Sequence, residues 1–128
     1  MADSPTQAHW IETYKSLITL AIEGFKFTAL SNGGAAVALL AYLGNVAGKG
    51  IAPPDMRAPM LAFLLGLTAC GLSMFFAYVT QLRLFNEARQ SERPLVGHTF
   101  PLYVAMLLFF CSLVAFGVGS WLAVVRFK

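Results

Sequence analysis

The charged residues of this chain fall in clusters, and between the clusters lie three long apolar stretches. Positions 27–48, 58–82 and 94–125 contain no Asp, Glu, Lys or Arg. Each exceeds the roughly 20 residues that carry an α-helix across a ~30 Å hydrocarbon core. The pattern predicts an all-α membrane protein with three transmembrane helices at 27–46, 59–82 and 100–125, forming a single membrane domain over 1–128.

A different periodicity precedes the first span. Glu12, Ser16, Thr19, Glu23 and Lys26 recur at steps of four and three and make one polar stripe. Ile11, Ile18 and Phe25, with Tyr14 and Ile22 beside them, line another face. This amphipathic segment (1–26 with its leading residues) runs straight into the first span, which predicts one continuous helix of about 40 residues, roughly 60 Å long. A competing arrangement makes 10–30 a fourth span. It would bury Glu23 and Lys26 at ~2.5 kcal/mol or more each, and it leaves too few apolar residues for the next crossing. Three spans are therefore expected, with Glu23 and Lys26 at the membrane boundary as a solvated pair with snorkelling stems.

The loops carry the usual punctuation. Gly48, Gly50, Pro53 and Pro54 mark a short connection at 47–58, and Pro59 and Pro101 suit first helical turns. Pro94 is expected to stop the second helix, after Arg83 and Glu87 have come one turn apart and within pairing distance.

Composition supports the same class. The chain is 58% hydrophobic and 12% charged, against roughly 25% charged in soluble domains. So small a soluble fold could not hide that much apolar surface, so the lipid bilayer is the expected partner. The net charge of +3 sits at the ends of apolar runs, as membrane topology requires, and no basic patch with interleaved aromatics points to nucleic acid. Lys15, Lys26, Arg83, Arg89 and Arg93 share one side of the membrane; Lys49, Arg57, Arg126 and Lys128 share the other. The small excess favours a cytoplasmic N-terminus.

Candidate chemistry is sparse. No nucleophile with an adjacent base, phosphate loop or paired carboxylates is visible, so no enzyme and no cofactor is expected. His9 and His98 join no cluster with metal-ligand spacing. Trp10 and Trp121 read as interfacial anchors. Cys70 and Cys111 lie deep in apolar runs, where cysteine acts as a small packing residue.

What remains is close packing. Ser31, Asn32, Gly33, Gly34, Ala35 and Ala36, followed by Ala38, would let another backbone come near, and such contact is a main source of helix association in lipid. Asn32 continues the seven-residue line of Ile11, Ile18 and Phe25, where a polar group can fix register or oligomeric state. Gly66 and Cys70 with Ala62, Ala115 and Gly119 with Cys111, and Gly44 with Gly48 give the other helix segments similar notches. Whether the first-span notch packs on the chain's own helices or on another chain stays open. Two functions follow. One is a non-enzymatic protein that self-associates, as a homo-oligomer or a pore-like ring with Ser31 and Asn32 turned inward. The other is an accessory subunit that clamps a helix of a larger membrane complex.

The run LSNGGAAVALLAYLGN beginning at Leu30 resembles a motif in small, uncharacterised bacterial inner-membrane proteins, which carry a similar amphipathic helix before an NGGAA-type first span. The likeness covers about residues 10–48. It implies a bacterial inner membrane and brings no activity, cofactor or substrate with it.

Overall fold

The computed structural model describes residues 5–89 and 97–127. They form three helices: α1 (Pro5–Gly48), α2 (Arg57–Arg89) and α3 (Thr99–Arg126). All three are long and apolar enough to cross a membrane. At 1.5 Å per residue they measure about 66, 50 and 42 Å. The amphipathic segment and the first span are one unbroken helix of 44 residues, as the merging periodicities predict. The expected stop at Pro94 lies outside the described residues.

Local chemistry sets the ends of the first loop. After Gly48 the chain turns through Gly50, whose φ of 70° suits a residue without a Cβ. Asp55 accepts a hydrogen bond from the Arg57 backbone N–H at 3.1 Å and so meets an otherwise open donor at the start of α2. Pro59 falls within the first turn, where it displaces no needed N–H, and Met60 N–H already reaches the Met56 carbonyl.

α2 and α3 pack against each other most extensively and form an antiparallel hairpin. Ser73 Oγ donates to the Ala105 carbonyl at 2.6 Å in mid-helix. Below it Gly119 makes room for the Phe63 ring of α2: a Cβ there would stand 2.7 Å from it. At one end Arg83 reaches the Gly97 carbonyl, and Glu87 takes both the backbone N–H and the ring Nδ1 of His98. At the other, Arg126 pairs with Asp55 at 3.2 Å.

α1 lies along this hairpin and leans more on α2 than on α3. Tyr14 OH donates to Gln81, Thr28 meets Cys70, Asn32 bonds Ser112, and Tyr42 stacks edge-on with Phe127. These contacts fix the register of α1 against its neighbours.

The interior inverts a soluble core. Thr28, Asn32, Ser73 and Ser112 have no exposed surface, and the buried apolar residues include small ones such as Ala36, Ala105 and Ala123. Leu, Phe and Val side chains cover the outside. Lipid tails are as apolar as those side chains, so helices gain more from close contact and hydrogen bonds than from hiding them.

Candidate functional site

The three helices meet at Asn32. Its Nδ2 donates to the Thr28 carbonyl at 3.0 Å in its own helix, and across to the carbonyl and hydroxyl of Ser112 at 3.2 and 3.3 Å. Ser112 Oγ in turn donates to the Gly66 carbonyl at 2.7 Å. Three acceptors around one nitrogen fix which way the amide faces. Its Oδ1 is buried with no hydrogen-bond partner and rests where a Cβ on Gly66 would stand. A weak Cα–H···O contact is the bond such a helix crossing offers it. One turn away, Thr28 Oγ1 and Cys70 Sγ lie 3.1 Å apart.

The small-residue run therefore divides between two faces. Asn32 and Ala36 point inward with Leu39; Gly33, Ala35 and Ser31 are half-buried at the flank. Gly34 and Ala38 point away, and a Cβ on Gly34 would meet nothing within 4 Å. Gly66, Cys70 and Gly119 are buried at contacts within the chain, and Ala115 is half-buried. Asn32, for which the sequence leaves open packing on the chain's own helices or on another chain, is enclosed and bonded by its own chain. The cause is geometric, since the line from Phe25 through Asn32 is the side of α1 that the hairpin covers.

The uncovered side of α1 carries a second pattern. The polar stripe Glu12, Ser16, Thr19, Glu23 and Lys26 continues as Leu30, Gly34, Val37, Ala41, Gly44 and Gly48, and every member is exposed. Its mean step equals the 3.6 residues of a helical turn, so the stripe runs straight down the helix without drifting. One face is thus polar in its N-terminal half and narrow, apolar and glycine-rich below. The sequence shows the polar half as a stripe and the Gly44–Gly48 spacing; the continuation through Leu30, Gly34, Val37 and Ala41 becomes a face only once the covered side of α1 is known.

Register supplies the depth. In α2 the uncharged run lies between Arg57 and Arg83, with Cys70 midway; in α3 the interval from His98 to Arg126 has Ser112 midway. Cys70 touches Thr28 and Ser112 touches Asn32, so the middle of the hairpin's apolar belt falls beside Thr28–Asn32. Measured from the centre of that segment, Lys26 is then about 6 Å and Glu23 about 11 Å along the axis from the middle of the belt. The two form an ion pair at 2.8 Å with side chains 60% and 62% exposed. At the same level the hairpin turns Phe75, Tyr103 and Met106 outward. The register shifts α1 along its axis: its own uncharged run is centred about 11 Å below the hairpin's.

Two open clefts flank α1. One of about 610 Å³ separates Leu20, Ala21 and Gly24 from Ala77, Met106 and Phe109. Another of about 840 Å³ lies beside Leu43, Gly44, Pro53, Pro54 and Met60 at the opposite end. Neither gathers a set of groups suited to catalysis.

These features define a class: an all-α bundle of three candidate membrane spans, pinned by a buried polar junction and leaving one face of its longest helix uncovered. No protein-family model, curated protein or solved structure matches the chain.

Proposed function

We propose that this is a non-enzymatic inner-membrane protein that self-associates through the outward face of α1. The observation that carries the reading is the exposed Glu23–Lys26 pair level with the outward-facing Phe75 and Tyr103 of the same chain. Charged groups at such depth sit in spanning proteins against other polar groups or a water-filled space, not against acyl chains. A cluster of α1 helices, with the hairpins outside, removes the stripe from lipid. Leu30, Gly34, Val37 and Ala41 then supply the close approach that drives association in a bilayer. The N-terminus faces the cytoplasm, where the shared side carries more Lys and Arg. In such a cluster the groups available to line a central pore-like space are Ser16, Thr19 and Glu23 rather than Asn32.

A second reading makes the chain an accessory subunit, with a helix of another protein on the same face. Trp10 at 69% and Leu17 at 60% exposure on the N-terminal half favour it, since they offer a partner an apolar surface. Native mass spectrometry of protein gently extracted from its own membrane separates the two. One defined homo-oligomer supports self-association, and a stable heteromer supports the subunit reading. A monomer alone would contradict both.

A further inference from the structure

We propose that the polar half of the outward face is an interface to the same stripe in a second copy, in which Lys26 of each chain bridges to Glu23 of its neighbour. This rests on the self-association reading and assigns its charged contacts.

Three observations carry it. The stripe is uncovered along its whole length, so among the described residues none occupies the space opposite Glu23 and Lys26. The pair lies inside the span of the hairpin's apolar belt, about 6–11 Å from its middle, yet both side chains remain well exposed to whatever lies beside α1. The within-chain contact uses Glu23 Oε1, and a carboxylate and an ammonium each have capacity for more than one bond. A lipid tail offers neither donor nor acceptor. A second copy offers both, in equal number.

The geometry of a parallel assembly fits. Copies inserted the same way bring identical residues level, and Lys26 is about 4.5 Å along the axis from Glu23. A Lys side chain spans that offset, and each chain both gives and receives one bridge. Below the charges, Gly34, Ala41 and Gly48 repeat every seven residues on the same face. They let the helices approach closely enough for the bridges to form without lipid between them.

The test is complementation in the full-length chain reconstituted in bilayers, with oligomer size read by native mass spectrometry and by energy transfer between labelled copies. Glu23→Lys alone and Lys26→Glu alone place like charges across the interface, and each is expected to weaken association on the order of tenfold or more. Mixing the two variants is expected to restore an oligomer of the original size that contains both chains. Because a charge reversal could also disturb insertion, the neutral double variant Glu23→Gln, Lys26→Gln serves as a second probe; its association is expected to fall as well, with helix content unchanged. Charge variants that assemble like the unaltered chain, or reversed variants that stay apart when mixed, overturn the proposal. If the unaltered chain is an oligomer that Gly34→Leu disperses but charge changes leave intact, the bridges are wrong and the seam stands. If the unaltered chain is a monomer, both fall.

Discussion

The hairpin of α2 and α3 and the long helix α1 disagree about where the membrane is. Both hairpin helices are uncharged over a belt centred on Cys70 and Ser112. α1 is uncharged over a belt centred well below that level, and it brings an ion pair to within about 6–11 Å of the hairpin's midplane. The hairpin is closed inside by small residues and backbone-directed hydrogen bonds, and it meets lipid with large apolar side chains. α1 meets the hairpin on one side and presents charges, then glycines, on the other. On the self-association reading the two parts serve different neighbours: the hairpin, apolar along its depth, faces lipid, and the outward face of α1, which changes character halfway down, faces a second copy.

Substitutions at paired glycines would break this contrast most sharply. Gly66→Leu drives a side chain into the Asn32 amide, and Gly119→Leu into the Phe63 ring. Each is expected to lower stability by about 2–3 kcal/mol, the cost of overpacking a closed interface. Unfolding in mixed detergent micelles would measure it. The same change on the other side of α1, Gly34→Leu, meets no atom within 4 Å. It is expected to leave the folding of a single chain within ~0.5 kcal/mol while dispersing the oligomer. Loss of fold instead would mean that the outward face belongs to the core.

A smaller effect sharpens how α1 is held. Asn32→Leu removes its bonds to Ser112 but leaves Ser112 bonded to Gly66. About 1 kcal/mol is expected, as for other hydrogen bonds between membrane helices. The loss should appear as faster amide exchange along α1, with α2 and α3 unchanged.

The smallest effect is at the loop that joins the two parts. The Arg57 backbone hydrogen bond, helped by the Arg126 guanidinium and partly opposed by desolvation, holds the Asp55 carboxyl below its ordinary value of 3.8. A lowered folded-state pKa means that the ion contributes stability above 3.8, lost as pH falls through the folded value. Asp55→Asn is therefore expected to lower the melting temperature slightly near neutrality, with the difference from the unaltered chain vanishing as pH falls through the folded value.

Much of this fold was legible in residues. Charge-free runs gave the spans, because lipid tolerates few charges at depth, and steps of three and four gave the amphipathic helix at Glu12 to Lys26. The notches at Gly66, Cys70 and Gly119 were visible as spacings. Three things were not. Asn32 sits on a line that could face either way, and only the packing of Ser112 and Gly66 decides it. Phe63, which fills the space left by Gly119, gives no periodic sign of its role. The depth of Glu23 and Lys26 is a property of register between helices, and register is set by contacts such as Thr28–Cys70 that join residues far apart in the chain.

The most direct test of the central claim is disulfide cross-linking in native membranes, with Cys111→Ser as background. Single cysteines would be placed on the outward face of α1 (Gly34→Cys, Ala41→Cys) and on the outer surface of the hairpin (Leu107→Cys). Ready dimer formation at 34 and 41, with little at 107, is the result predicted if α1 helices face one another at the centre of an assembly. Cross-linking through 107 with none at 34 or 41 would place the hairpins at the contact and contradict the account.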